Sequence, residues 1–293
     1  MPDRKIKEKS QASIDVAIIG AGRLGTTLAL ALERRGYRIQ SVVARRLENA
    51  HKAAAHLDGK VEQLAAKQLS LIMPADLVLI TVPDDQIASV AAKLSAVDPD
   101  HKPVVLHTSG ALSSEVLSPL RARGWSTGSL HPLISVTDPQ TSLAGVFWCV
   151  EGEPRATRLA KVIVRDLGGT SFSINSAEKP LYHAAAVMTA GHVTALYDVA
   201  LEMLVACGLT RKTARQILQP LLASTVHNLE TKDPAHALTG SFARGDVETV
   251  KRHLAALKDH KLADALDLYC RLGKRSIKLT KKQTPITQIL DGC

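Results

Sequence analysis

Aromatic side chains are scarce in this chain of 293 residues. Phe, Tyr and Trp make up 3% of the sequence, whereas apolar residues as a whole make up 45%. That apolar content is typical of a packed globular protein, whose core must here be built from Ala, Leu, Val and Ile. The scarcity of aromatics argues against a nucleic-acid site in which bases stack on aromatic rings.

Cysteine is also sparse, and its spacing argues against a structural framework. Cys149, Cys207, Cys270 and Cys293 lie far apart, and no CxxC pair occurs. Disulfide scaffolds and zinc sites depend on clustered cysteines. We therefore expect reduced thiols, a cytoplasmic location and no metal site.

The net charge of +9 is concentrated at the two ends of the chain. Segments 1–14 and 271–293 carry +7 of it, so the body is nearly neutral. A nucleic-acid surface needs clustered positive charge on the folded body, so no specific nucleic-acid partner is expected. Glycines interrupt the first apolar stretch after the basic start. The sequence therefore predicts neither a signal peptide nor a membrane span.

Short apolar runs alternate with helical patterns over the first part of the chain. The runs VAII (16–19) and DLVLITV (76–82) are typical of buried parallel strands. The alternation predicts an α/β fold, with a Rossmann-type parallel sheet domain over 15–175. A disordered tail is expected at 1–14. An all-α domain is predicted over 176–293, for substrate binding and dimerisation.

The all-α domain is predicted to contain helices over 177–206, 210–229, 246–258 and 261–281. The helix over 177–206 has apolar residues on nearly all sides and must be buried. A helical layer of this size offers limited cover by itself. We therefore expect a homodimer formed through this domain.

The motif GxGxxG follows the first predicted strand and opens the first predicted helix. Gly20 allows the tight turn, Gly22 lets the backbone approach a pyrophosphate, and Gly25 lets the helix pack close to the strand. The helix start at Arg23 and Leu24 offers free N–H groups to phosphates. The pattern favours dinucleotide binding over the alternative, a purely structural glycine turn.

The residues after the second predicted strand distinguish the two nicotinamide dinucleotides. NAD-binding proteins usually have an acidic residue here, which binds the ribose 2′-hydroxyl. This chain has Arg45 and Arg46 and no acidic residue in the stretch SVVARR. Guanidinium groups suit a 2′-phosphate, so NADP is favoured and NAD is less favoured. The alternative is that both arginines are solvated surface residues.

Loops at the carboxyl ends of the predicted strands are the candidate ligand sites, because ligands of open α/β sheets bind there. The cofactor is expected to run along Thr81, Val82 and Pro83. His107 is a candidate catalytic residue, and a structural histidine is the alternative. The candidate substrate-binding residues are Thr108, Ser109, Gly110 and His131.

Lys179 and His183 form a second candidate catalytic pair. They lie four residues apart at the start of a predicted helix and so share one face. A partly buried lysine at a helix N-terminus would have a lowered pKa and could deliver a proton. The alternative is a solvated surface lysine.

These segments resemble a group of bacterial proteins in which a Rossmann-like domain precedes a helical domain of unknown function. The matching stretches are VAIIGAGRLGTTLA (16–29), ADLVLITVPDDQI (75–87), LHTSGALSSEVL (106–117), GSLHPLISV (128–136), KPLYHAAAV (179–187) and ALTGSFARGDVETVKRHL (237–254). More distantly, the layout is similar to 6-phosphogluconate and β-hydroxyacid dehydrogenases and to pyrroline-5-carboxylate reductases. The resemblance implies an NADP-dependent oxidoreductase, with Lys179 at the position of a catalytic lysine.

Three functions fit the sequence. The first is an NADP-dependent dehydrogenase or reductase that acts on a small anionic substrate. The second is a non-catalytic NADP-binding sensor or scaffold. The third is a deazaflavin-linked NADP reductase, which shares the Rossmann fold.

Overall fold

The computed structural model describes residues 14–72, 74–97, 102–280 and 285–292. The chain divides into two compact units between Met188 and Thr189. The sequence placed this division earlier, at 175, because the helical pattern starts there. The predicted disordered tail at 1–14 lies outside the described residues except for Ile14.

The first unit contains one sheet of eight strands. The strands are β1 (Asp15–Ile19), β2 (Arg38–Ala44), β3 (Glu62–Ala65), β4 (Leu77–Ile80), β5 (Val104–His107), β6 (Ser126–Pro132), β7 (Phe147–Gly152) and β8 (Thr170–Phe172). Their order is β3-β2-β1-β4-β5-β6-β7-β8. All neighbouring pairs are parallel except β6 and β7, which are antiparallel. The predicted α/β Rossmann-type class is confirmed.

The strand order reverses direction at β1, which lies between β2 and β4. Val16 to Ile19 of β1 pair in register with Leu77 to Ile80 of β4. All four β4 residues are buried, as expected for a continuous apolar run at the centre of a parallel sheet. Such a reversal opens a crevice at the carboxyl ends of the strands.

The described residues of the first unit form six α-helices, and the first five of them cover the two faces of the sheet. They are α1 (Arg23–Glu33), α2 (Leu47–Ala54), α3 (Asp84–Ser95), α4 (Ser118–Ala122), α5 (Pro154–Asp166) and α6 (Lys179–Thr189). Short 3-10 helices occupy Ala66–Leu71, Ser114–Leu117 and Ser176–Glu178. Two separate clusters of buried apolar side chains result. One contains Leu28 of α1 and Ile163 of α5, and the other contains Ile87 of α3.

The second unit is helical over its described residues. Its helices are α7 (Gly191–Ala206), α8 (Arg211–Thr231), α9 (Pro234–Ala237), α10 (Gly240–Arg244), α11 (Val247–Asp259), α12 (Ala263–Thr280) and α13 (Ile286–Asp291). The buried cluster is small and lies among α11, α12 and α13. It contains Val250, Leu254, Cys270, Ile277, Ile286 and Leu290.

The predicted helix over 177–206 is interrupted at Ala190, which separates α6 from α7. The next residue, Gly191, is a poor helix former, which accounts for a break at this point. The stretch Ser176–Ala206 is long and apolar enough to cross a membrane by length and composition alone. Each of its two helices is shorter than the ~20 residues that a membrane span requires, so this is weak evidence for a span.

Other details also differ from the sequence-based expectations. The sequence analysis did not predict β3, whose four residues are too few for a clear alternating pattern. Cys270 is disulfide-bonded, so the expectation that all four thiols are reduced is wrong. Cys149 and Cys207 are free.

Candidate functional site

The glycine loop connects β1 to α1 in the way that the motif predicts. Gly20 has φ +120°, which is accessible to glycine and strained for other residues. A side chain on Gly25 would lie 1.9 Å from the Gly20 carbonyl oxygen, so this contact requires glycine. A side chain on Gly22 would meet no atom within 4 Å. The loop therefore leaves open space beside the N-terminus of α1, where a pyrophosphate fits.

A cleft of about 560 Å³ runs from the glycine loop across the carboxyl ends of β1, β2 and β4. Its lining includes Gly20, Gly22, Arg45, Thr81, Val82 and Pro83, all of which the sequence predicted for the cofactor. It also includes Asn49 and Lys93, which the sequence analysis did not single out. Gly25 supports the loop from beneath, through its contact with Gly20.

Arg45 and Arg46 occupy different positions in the structure. Arg45 lines the cleft, whereas Arg46 is the N-cap residue of α2 and is not among the lining residues. The structure therefore supports Arg45 rather than Arg46 beside the cleft, and a cofactor contact by Arg46 stays a prediction. Two adjacent residues of extended backbone point in opposite directions, so only one of them can face the cleft.

A smaller cavity of about 310 Å³ adjoins this cleft. Its lining residues are Arg23, Leu24, Asp84, Thr108, Ser109, Gly110, His131, Pro132, Ile134, Val136 and His183. Gly22 and Pro83 line the cleft, and the residues that follow them, Arg23 and Asp84, line the cavity. Because consecutive residues of the same two loops line both spaces, two molecules bound in them could lie close enough to react with each other. Arg23 and Leu24, predicted for the cofactor, face the second space.

The loop after β5 forms one wall of the cavity. The Ser109 hydroxyl donates to Asp84 Oδ2 at 2.7 Å. It also accepts from the backbone N–H groups of Ala111 at 3.2 Å and Leu112 at 2.9 Å. A hydroxyl has one donor and two acceptor positions, so that of Ser109 is fully used within the protein. Its predicted role as a hydroxyl that binds substrate is therefore not supported.

His107 lies beneath this loop and is completely buried. Burial, reinforced by the positive charge of Lys179, lowers the pKa of His107 to about 3. The ring is neutral at physiological pH, and its Nδ1 accepts from Ser109 N–H at 3.2 Å. His107 lines neither cavity, which favours the structural alternative, and its catalytic role stays a prediction.

Two histidines from different elements meet at the cavity. His131 is the last residue but one of β6 and His183 lies on α6. Their ring centroids are 5.4 Å apart in an edge-to-face arrangement. Both rings pack against Gly110, where a side chain would lie 2.4 Å from His183 Nδ1 and 2.7 Å from His131 Nε2. The absence of a side chain at Gly110 is therefore what allows the rings to meet.

Tyr182 supports His131 from behind. The Tyr182 hydroxyl is 2.7 Å from His131 Nδ1. Burial raises the pKa of the Tyr182 phenol well above its usual range, so it remains protonated. Burial, followed by the charges of His183 and Lys179, lowers the pKa of His131 to about 4. His131 is thus a neutral imidazole at physiological pH.

Lys179 is fully buried next to the cavity. Its Nζ donates to Ser129 Oγ at 2.6 Å and to the Ser109 carbonyl at 3.1 Å. It lies 3.7 Å from Glu151 Oε1. The Glu151 carboxylate also accepts from the backbone and hydroxyl of Ser114, at 2.7 and 2.8 Å. Burial lowers the pKa of Lys179, as the sequence-based argument expected.

The position of Lys179 gives it an indirect role. It lines neither the cleft nor the smaller cavity. Its hydrogen bond to the Ser109 carbonyl holds the loop that carries Ser109 and Gly110, and its predicted part in proton transfer stays a prediction. The alternative of a solvated surface lysine is also excluded by its burial.

Sequence reasoning missed Asp84, Glu151 and Tyr182. Tyr182 precedes His183, and Asp84 follows Pro83, so both were adjacent to predicted residues. Glu151 is distant in sequence from Lys179, and its place opposite the lysine follows only from the pairing of β7 with β6. Among the described residues, no group of three or more His, Cys, Asp or Glu side chains could hold a metal ion.

Comparison with known proteins defines the class of this chain. Residues 1–132 match a Rossmann-like domain, and residues 146–276 match a domain of unknown function, DUF2520. The chain therefore matches, one after the other, the two domains that its motifs implied. No curated protein sequence matches it.

Solved structures share the fold at low sequence identity. A candidate NADP oxidoreductase from Bacteroides fragilis is 24% identical with a TM-score of 0.76, covering 91% of this chain and 98% of that one. A pyrroline-5-carboxylate reductase from Coxiella burnetii is 17% identical with a TM-score of 0.57, covering 92% and 100%. A reductive aminase from Aspergillus terreus, in complex with NADPH, is 15% identical with a TM-score of 0.69, covering 96% and 99%.

Proposed function

We propose that this protein is an NADP-dependent oxidoreductase that acts on a small anionic substrate. One observation carries the proposal: the dinucleotide-sized cleft and the smaller cavity share walls built from consecutive residues of two loops. A cofactor held along the cleft would bring its reactive end to the cavity that holds the two histidines. The named activities of the structural neighbours agree with this class of reaction.

Residues of the glycine loop and of the β4–α3 loop would hold the cofactor. Backbone N–H groups at Gly22 and Arg23 suit the pyrophosphate, because they lie at the N-terminus of α1. When bound, a reduced nicotinamide supplies a hydride to the substrate. The protein supplies orientation, a charged anchor and a proton.

Arg45 supports a preference for NADP over NAD. It lines the cleft just after β2, together with Asn49 of α2. The carboxylate that lines this cleft, Asp85, follows β4 rather than β2, so it does not stand at the position that favours a ribose 2′-hydroxyl.

Arg23 supports an anionic substrate. It is the arginine among the residues that line the small cavity, whereas the Asp84 carboxylate there is engaged by Ser109. A guanidinium can bind a carboxylate through two parallel hydrogen bonds. A volume of about 310 Å³ lies at the lower end of ligand pockets, which favours a small molecule.

Calorimetric titration with NADPH and NADH tests this proposal. We expect tighter binding of NADPH. Arg45→Ala should weaken NADPH binding by about 1.5–3 kcal/mol, the scale of a charged hydrogen bond, and should leave NADH binding nearly unchanged. Arg46→Ala is the matched control, because Arg46 lies outside the cleft. Equal affinity for NADPH and NADH in the unmutated protein contradicts the NADP preference. Absence of binding by either contradicts the oxidoreductase itself.

A further inference from the structure

One wall of the small cavity is apolar. It is formed by Leu24 at the start of α1 and by three residues at and beyond the end of β6, namely Pro132, Ile134 and Val136. Leu24 and Ile134 also pack against a buried apolar cluster of the first unit, so this wall is an extension of the core. Close packing in the core gives the wall a fixed shape.

The apolar wall follows from the extended backbone beyond β6. The Leu133 N–H donates to the Phe147 carbonyl at 2.9 Å, so the pairing with β7 continues past Pro132. Successive side chains of an extended segment point to opposite sides. The side chains of Pro132, Ile134 and Val136 accordingly line the cavity. Leu133, which lies between them in sequence, is exposed and does not line it.

The two hydroxyl side chains among the described lining residues are engaged within the protein. The Ser109 hydroxyl donates to Asp84 Oδ2 at 2.7 Å, and the Thr108 hydroxyl donates to the Ile80 carbonyl at 3.4 Å. Arg23, by contrast, is exposed, and its guanidinium forms no ion pair or hydrogen bond with a described residue. The cavity therefore offers a ligand a free positive charge and an apolar wall, but no free hydroxyl hydrogen.

We propose that the small cavity binds a short aliphatic carboxylic acid, with its carboxylate at Arg23 and its hydrocarbon end against Ile134 and Val136. A hydrocarbon end gains free energy when it leaves water for an apolar wall. A hydroxyl or a second carboxylate placed there loses its hydrogen bonds to water, which is unfavourable. The site therefore selects against sugar acids and dicarboxylic acids. This inference rests on the proposed function and assigns its substrate class.

Binding of unreactive acids tests this substrate class without turnover. Nuclear magnetic resonance titration of the full chain, with NADP⁺ present, measures the dissociation constants of acetate, propanoate, butanoate and 3-methylbutanoate. We expect the affinity to rise about fourfold with each added carbon, because each buried methylene contributes a similar free energy. Glycerate and succinate should bind more weakly than butanoate. A series without this rise, or tighter binding of glycerate or succinate, overturns the inference.

Val136→Thr tests the apolar wall at nearly constant shape. The added hydroxyl should weaken the binding of 3-methylbutanoate about fivefold, because it makes the wall polar. Acetate has no hydrocarbon chain to reach this wall, so its binding should not change. Leu133→Thr is the matched control, because Leu133 belongs to the same segment and does not line the cavity. Equal losses for the two acids, or no loss for either, overturn the contact with Val136.

Arg23→Gln tests the orientation of the acid. Loss of a charged hydrogen bond should weaken every acid of the series about tenfold and leave the rise with each added carbon unchanged. Arg46→Gln is the matched control, because Arg46 lines neither the cleft nor the cavity. The amine 3-methylbutylamine has the same hydrocarbon end as 3-methylbutanoate and the opposite charge, so it should bind the unmutated protein much more weakly. Binding of the amine as tight as that of the acid overturns the assignment of Arg23.

Calorimetric titration of the same sample with NADPH separates this inference from the proposed function. Binding of NADPH together with an acid series that shows no rise overturns the substrate class and leaves the proposed function standing. Absence of NADPH binding overturns both.

Discussion

The two compact units of this chain bury their apolar side chains to very different extents. In the sheet unit, large residues such as Trp148, Ile18 and Leu28 are fully buried, and apolar clusters line both faces of the sheet. In the helical unit, α7 and α8 leave many large apolar side chains exposed. These are Val193, Leu196, Val205, Ile217, Leu221, Val226 and Leu229.

This contrast shows that apolar content and burial are separate properties. The sheet gives every strand two faces to cover, and α1 to α5 cover them within one chain. A helix that is apolar on most sides needs neighbours on most sides, and α7 lacks them. Substitutions in the interior of the sheet unit should therefore change the stability of the chain. Substitutions on the surface of the helical unit should instead change its association with another molecule.

The largest expected effect is in the interior of the sheet unit, at Lys179. Lys179→Met leaves the Glu151 carboxylate buried without its ammonium partner, which costs about 3–5 kcal/mol of unfolding free energy. Urea unfolding measures this loss. Lys179→Met combined with Glu151→Gln should recover part of it, because the unpaired charge is removed.

The control for this substitution is an exposed ion pair in the same unit. Lys52 and Glu48 pair on α2 with side chains 70% and 69% exposed. Lys52→Met should cost less than about 1 kcal/mol, because solvent screens such a pair. A loss at Lys179 no larger than that at Lys52 would show that the buried network contributes little.

The next largest expected effect is a loss of stability at low pH, which is caused by His107 beneath the cavity and His131 beside it. His107 and His131 have pKa values lowered to about 3 and about 4, chiefly by burial. In the unfolded chain both titrate near the ordinary value of 6.5. As pH falls below 6.5 the unfolded state binds protons that the folded state refuses, so stability is lost.

Lowering the pH from 7 to 5 should therefore cost about 2 kcal/mol for each histidine. Urea unfolding at the two pH values measures this cost. His107→Gln should remove about half of the dependence, whereas substitution of the exposed His227 should leave it unchanged. The same stability at both pH values would mean that the two rings bind protons as readily in the folded protein as in the unfolded chain.

Much of the sheet unit could be predicted because its signals are local. The run DLVLITV and the GxGxxG spacing fix a strand, a turn and a helix start from neighbouring residues alone. The cleft is consequently lined by residues that the sequence predicted for the cofactor, namely Gly20, Gly22, Arg45 and Thr81.

The chemistry of the small cavity could be predicted only in part, because it depends on contacts between distant elements. The sequence nominated His131 and His183 separately, but only the packing of both rings on Gly110 joins them. Likewise, nothing local distinguishes the buried His107 and Lys179 from side chains that reach a substrate. The difference lies in their burial, which depends on how the whole unit packs and therefore cannot be read from neighbouring residues.

The smallest expected effect on chain stability concerns the exposed apolar surface of α7 and α8. It is also the most direct test of the difference in burial between the two units. We predict that a second copy of this chain covers it, which gives a homodimer. The interruption at Ala190 and the helix lengths make a membrane a poorer partner. Light scattering should therefore give twice the chain mass of 31.4 kDa at micromolar concentration.

Leu221→Asp should convert the dimer to a monomer. Leu221 is 62% exposed in the single chain, so its replacement removes few contacts within the chain and should change the unfolding free energy of the monomer by only about 0.5 kcal/mol. Leu71→Asp is the matched control, because Leu71 is similarly exposed at 59% but lies in the sheet unit. Dissociation by Leu221→Asp alone supports the contrast between the units. A monomeric unmutated protein contradicts it, because the apolar surface of α7 and α8 would then be stable in water.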